Sequence, residues 1–502
     1  MQSTRGRKGL TFTGLCLVLL CGLPSGCVAL SVAIPTPESS SVPQGAHAGS
    51  AAAVEPASQH RILTASYLPV QNATAISQPD DAPFAGNDEL SVDLLVEQVL
   101  ARNPTLAQMV ATWQAASARY PQVTLLEDPM VAGTIGPGTL SPDDPGVEFA
   151  YRVEVSQKLP FPGKLRLRGE NALAEASAAG RDVEDVRLQL VESARTAFYD
   201  YYLVDRALEV NNESLRLLRE FRSNAQTRYQ TGLVPEQDVL QADVEVGREQ
   251  DRRLELDQMR QVAVARINTL MDLAPDSFLP SPPKQLNVAE QLPDVRTLRA
   301  TALARRPDLQ ALAALIAAEE ASLGLARKEF YPDFEPFFMY DRFMGNVSDN
   351  RDLATMLGVR LNLPIYKARR YGAVAEAEAR IAQRRAELAK VTDQVNFQVQ
   401  EAYARVQRSE GSVRLYRDTI LKAAEANVKA AQSAYITGKT PFLSLIEAER
   451  NLVMLRDRYY EAVADYFRRH AALERAVGGL LTPSTPSNQP PPNPARRSPA
   501  IR

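Results

Sequence analysis

Two hydrophobic periods alternate along this chain. Between residues 374 and 420 the apolar positions recur every seven residues. Val374, Ile381, Leu388, Val395 and Ala402 form one seam, and Val399, Val406, Val413 and Ile420 form a second, offset by four. Arg, Glu and Gln fill the positions between, the a/d pattern of a coiled coil. Proline usage points the same way. The chain holds 34 prolines, yet none lies between Pro162 and Pro235 or between Pro364 and Pro441. A proline inside a helix costs about 3 kcal/mol, so both stretches predict long helices. At 1.5 Å per residue, roughly 70 residues extend about 100 Å.

The second period is two. In "VEFAYRVEVSQKL", Val147, Phe149, Tyr151, Val153 and Val155 fall on one side, with Glu148, Arg152, Glu154 and Ser156 on the other. "LATMLGVRLNL" repeats this, with Leu357, Val359, Leu361 and Leu363 set against Arg360 and Asn362. Strand side chains alternate in this way. A strand half-buried on a soluble core has the same pattern, and heptads alone suit a solvated structural coiled coil. These segments, however, run to about ten residues, the length of a tilted transmembrane strand. They also stand among helices with no second sheet to pack on.

The two periods recur because the body is a tandem repeat. "ARNPTLAQ" at Ala101 returns as "ARRPDLQA" at Ala304. Pro129 matches Pro332, Val155 matches Val359, and the Tyr-x-Thr-Gly-x-x-Pro turn at Tyr229 matches that at Tyr435. The offsets are 203, 203, 204 and 206. Each copy reads as a helix of about twenty residues (105–126; 308–328), two extended segments, a very long helix, the turn and another long helix. Two strands per copy give four per chain. Four strands cannot close a barrel, and an open edge cannot stand in lipid. Closure takes about eight or more, so two, three or four chains must share one barrel of about eight, twelve or sixteen strands. Each turn joins two long helices and lies at the end away from the strands. Gly232 and Gly438 are expected to stop the first helix in a left-handed conformation, and Pro235 and Pro441 to start the next.

Composition narrows the function. A net charge of −3 over 502 residues gives no reason to expect nucleic acid. The three cysteines all lie in the first thirty residues, and the three histidines are scattered without metal-ligand spacing. The chain therefore reads as neither an enzyme nor a cofactor or metal protein. The N-terminus carries Arg5, Arg7 and Lys8, then an apolar run too short to span a bilayer, as in a signal peptide. Two exits fit: "LPSGC", a lipoprotein box with Cys27 lipidated, or plain cleavage after "SVA" at Ala33. Both take the chain out of the cytoplasm. The expected organisation is a signal peptide at 1–26, a disordered tether at 27–88, repeats at 89–285 and 286–480, and a Pro-rich disordered tail at 481–502.

Over residues 89–480 this plan resembles the TolC-like outer-membrane efflux proteins. "NPTLAQ", "RPDLQA", "QKLPFPGK" and the two Tyr-x-Thr-Gly turns match in kind and order, and "QKLPFPGK" at 157–164 is similar to the heavy-metal, CzcC-like branch. The resemblance implies a mainly α fold with a small β part. Three chains share a transmembrane barrel, and their helical hairpins form a periplasmic tunnel. That tunnel meets a periplasmic membrane-fusion adaptor and an inner-membrane pump of the RND type. The implied role is a passive conduit of a tripartite efflux system, held in outer-membrane lipid. The rival reading is a periplasmic coiled-coil scaffold lipoprotein without a pore. Carried over by position, Asp238 and Glu447 stand at the pore constriction, with Ser444 where another member has Asp. Gly232, Leu233, Val234, Gly438 and Lys439 would contact the adaptor at the tip. A lipid at the position of Cys27 also occurs in many members.

Overall fold

The computed structural model describes residues 84, 86, 88–136, 149–288, 292–344 and 355–481. The signal segment, Cys27, nearly all of the tether and residues 482–502 of the tail lie outside them. In the first copy α1 (Val92–Arg102), α2 (Pro104–Ser117) and α3 (Arg119–Thr124) lead to β1 (Met130–Gly136) and β2 (Phe149–Ser156), then α4 (Lys164–Gln230) and α5 (Glu236–Leu270). The second copy repeats the order with α6 (Val295–Arg305), α7 (Pro307–Lys328), β3 (Phe334–Met344), β4 (Thr355–Leu361), α8 (Lys367–Leu415), α9 (Leu421–Ile436) and α10 (Phe442–Val477). A π-helical segment, Tyr416–Ile420, joins α8 to α9 without a break.

Three features depart from the sequence reading. Each copy opens with an extra helix, α1 or α6, set apart from the next by an Asn-Pro or Arg-Pro step. The residue before a proline is driven out of the helical region. Asn103 and Arg306 accordingly sit at φ/ψ of −65°/123° and −61°/124°, and the prolines start α2 and α7. The expected helix at 105–126 is split at Ala118 into α2 and α3. The π segment had no signature in the heptads. The long helices themselves form as expected. Ile381, Val395, Val399, Val406 and Val413 are buried, and Leu388 and Ala402 pack on the same cluster with Tyr202 and Tyr466.

All four strands make one antiparallel sheet in the order β1-β2-β3-β4. β2 and β3 pair across the repeat boundary, with Val153 opposite Tyr340 and Arg152 opposite Asp341. Register puts Val131, Val155, Phe338 and Leu357 in one row across the sheet, on a single face. That face is uncovered: Val131 is 70% exposed and Leu357 83%. The other face carries ion pairs. Arg152 grips Asp341 through two bonds of 2.7 and 2.8 Å, and Arg360 bridges Glu154 at 2.5 Å and Glu335 at 3.2 Å. Gly358 lies under the ring of Phe337, where a Cβ would come within 2.4 Å of a ring carbon. Arg360 covers the same ring at 4.5 Å.

Candidate functional site

The two hairpin turns are built by the same local physics. Gly232 has φ of +73° and Gly438 of +69°, with open space around each, so glycine is there for backbone conformation alone. The amides of Gly232 and Leu233 donate to the carbonyls of Tyr229 and Arg228. Those of Gly438 and Lys439 donate to Tyr435 and Ala434. Both helices thus end in a Schellman motif. Pro235 and Pro441 cap the helices that follow in extended conformation. Starting beside the sheet, α4 runs 67 residues to this turn. At 1.5 Å per residue the helix is about 100 Å long.

The twin turns are alike in backbone and unlike in environment. Tyr229 is 41% exposed, whereas Tyr435 is 6% exposed and packs on Phe442 with Leu218, Phe221, Ala242, Leu445 and Ile446. The residue before each tyrosine differs as well. Arg228 reaches from the first hairpin to the second, donating to the carbonyls of Tyr435 at 3.0 Å and Ile436 at 3.4 Å. Its guanidinium lies 4.9 Å above the Tyr435 ring. The second copy has Ala434 at the equivalent place and nothing to return. The Tyr435 hydroxyl in turn donates to Asp238 at 3.5 Å. Arg228, Tyr435 and Asp238 therefore form one chain of contacts tying the hairpins together at their ends. Burial pushes the Asp238 carboxyl above its usual range, against the Tyr435 hydroxyl and Arg228. Burial, with Asp238 beside it, also raises the Tyr435 hydroxyl.

The sequence-named residues separate into two groups. Asp238 is half-buried in the seam between hairpins. Ser444 and the exposed Glu447 instead line a groove of about 620 Å³ between α9 and α10, with Asn427, Thr440 and Asn451. Leu233 is 69% exposed, Gly232, Gly438 and Lys439 are also exposed, and Val234 is half-buried. The sequence singled out Tyr435 only as the start of the repeated turn, and Arg228 not at all. The available signal was the break in repeat symmetry, Arg-Tyr against Ala-Tyr ahead of an otherwise shared motif.

Above the tip the hairpins are joined by charge. Arg450 on α10 pairs with buried Glu245 on α5, and Arg252 on α5 pairs with Asp457 on α10. Arg456 bonds Glu213 on α4 at 2.9 Å. Among the described residues no group of three or more His, Cys, Asp and Glu is placed to hold a metal ion.

Comparison with known proteins bears on the whole of this architecture. A family model described as outer membrane efflux protein matches residues 95–272 and 298–479, one match per repeat. Nodulation protein T of Rhizobium leguminosarum bv. trifolii is 23% identical over 411 residues, 78% of this chain and 84% of that protein. Cation efflux system protein CusC of Escherichia coli K12 is 22% identical over 415 residues, 77% and 86% of the two chains. Among solved structures, the outer-membrane channel OprN superposes with a TM-score of 0.66 at 22% identity, over 77% of this chain and 90% of its own. The Vibrio cholerae outer membrane protein VceC gives 0.66 at 21%, over 77% and 96%.

Proposed function

The chain belongs to the outer membrane efflux protein family, and from that premise we propose that three copies close one twelve-stranded barrel over a tunnel gated at the hairpin tips. Members of the family are outer-membrane efflux channels, which gives this chain its location and its role as a conduit. One observation carries the oligomer. A four-stranded sheet, unpaired at β1 and β4 among the described residues, has one apolar and one ion-paired face. Such a sheet satisfies its backbone in lipid only when β4 of one copy pairs with β1 of the next. Its apolar face then meets lipid, and the Arg152–Asp341 and Arg360–Glu154 pairs face water.

The tips are the natural place for a gate. Asp238, Ser444 and Glu447 line the constriction in this reading, and Gly232, Leu233, Val234, Gly438 and Lys439 meet a periplasmic adaptor. The adaptor couples the conduit to an inner-membrane pump that supplies the energy. Relatives carry names for cation, toluene and antibiotic efflux, so cargo choice is assigned to the pump.

The purified protein in detergent should have the mass of three chains by light scattering, corrected for bound detergent. A folded, membrane-inserted monomer would remove the shared-barrel argument.

A further inference from the structure

Where the sheet meets the helices, the chain gathers cations. Residues 127–128, 157–170, 327–333 and 366–371 hold nine Lys and Arg against five Asp and Glu, in a protein whose net charge is −3. These segments flank the start of β1, the end of β2, the start of β3 and the end of β4, the helix-side edge of the sheet. Most of the acids are already engaged. Lys164, fully buried, holds Asp333 at 2.9 Å and Glu329 at 3.4 Å. Lys158 takes Glu127 at 3.3 Å, and Arg166 takes Glu170. Lys328, Lys367 and Arg369 enter no ion pair among the described residues, and the last two are exposed. The Lys328 ammonium lies 5.2 Å from the Phe161 ring and 5.6 Å from the Tyr331 ring, which stack at 4.5 Å.

Amphipathic surface surrounds these charges. Tyr331, Tyr366 and Tyr371 are at least half exposed, as are Leu363 and Ile365 just past β4. The apolar face of the sheet ends here, with Phe334 opposite Leu361. Tyrosine favours the membrane–water boundary because its ring is apolar and its hydroxyl polar. Lys and Arg keep their stems in the apolar layer and their charge outside. Beside an anionic bilayer surface, each such cation favours contact about fivefold.

We propose that this collar binds the headgroups of anionic phospholipids in the leaflet facing the helices, in preference to zwitterionic ones. The inference rests on the reading of the sheet as membrane-inserted. Once the strands are set in lipid, the unpaired cations stand at headgroup depth next to a neutral but amphipathic surface. A phosphodiester with no compensating ammonium supplies the missing counter-charge.

The test uses the full-length oligomer in detergent. It is offered equal amounts of phosphatidylglycerol and phosphatidylethanolamine, and the retained lipid is weighed by native mass spectrometry. Phosphatidylglycerol should be retained in severalfold excess. Lys367→Gln with Arg369→Gln alters two exposed side chains without internal partners. That variant should bring the ratio close to one at unchanged oligomer mass, and adding Lys328→Gln should abolish what remains. Arg248→Gln, on α5 away from the sheet, should leave the ratio as it was. Millimolar inorganic phosphate should not displace the lipid; displacement would mark a general anion site and overturn the lipid assignment. Equal retention by the wild type, or a preference that survives the triple substitution, would overturn the proposal while leaving the channel reading intact. If no lipid of either kind is retained and the protein stays soluble without detergent, the membrane reading fails and the collar with it.

Discussion

At the scale of single residues, the most informative difference is between Arg228 and Ala434. The repeat gives both hairpins the same turn, and one arginine ties the first to the second. Arg228 satisfies the last carbonyls of α9 and covers the Tyr435 ring, and Tyr435 reaches Asp238. A charged donor on carbonyls at a helix C-terminus is stabilised by the helix dipole. Removing it leaves the hairpin core of Leu218, Phe221 and Phe442 in place. Arg228→Gln together with Tyr435→Phe should therefore leave the oligomer folded and loosen only its tip. In a planar bilayer the double variant should conduct more than the wild type at the same voltage. Conductance identical to wild type would mean that the contacts cap the hairpins without holding them shut.

At the scale of elements, the growth of the repeat offset has a physical counterpart. The offset is 204 at Val155 and Val359, just ahead of the long helices, and 206 at the turns. α4 has 67 residues, whereas α8, the π segment and α9 run from Lys367 to Ile436. A π turn is the insertion of an extra residue into an α-helix, with the seam preserved on both sides. The segment Tyr416–Ile420 absorbs part of the added length in this way. It lets Val413 above and Ala424 below keep to the buried side. Deleting Asp418 should turn the segment into plain α-helix and keep the tip packed. The same deletion at Arg219 in α4, where no π turn can absorb it, rotates everything below by about 100°. Thermal unfolding should show a small loss for the first and a large one for the second. Equal losses would mean that the π segment does not buffer the register.

At the scale of the whole molecule, the chain is incomplete in two directions. Among the described residues its sheet is unpaired at β1 and β4, edges that neighbouring copies would cover in the proposed barrel, and its tips present Leu233 to solvent. An exposed turn tolerates a charge, but an apolar contact with a partner does not. Leu233→Asp should leave the oligomer assembled and abolish efflux in cells, measured as loss of resistance to an exported compound. Export at wild-type levels would exclude this turn from the contact with the adaptor.

The sequence by itself determined the repeat, the long helices, the number of strands, the two-faced character of β2 and β4 and the left-handed glycines. Each of these is a local or periodic property. Heptad spacing, alternation, proline placement and a φ that only glycine tolerates are written in neighbouring residues. Val395, Val399 and Val406 are buried because seven-residue spacing returns them to one seam, whatever they meet there. Gly232 could be identified for the same reason. What lay beyond the sequence was pairing across long separations. That β2 pairs with β3 rather than with a distant strand depends on how α4 and α7 bring the two copies together. That Asp238 faces Tyr435, while Glu447 faces a groove of its own, depends on the rotation of one hairpin against the other. The buried Lys164 at the elbow, the Arg228 tie and the cationic collar all join residues more than 150 positions apart. No period in the chain records such a meeting; only the packing of the two copies decides it.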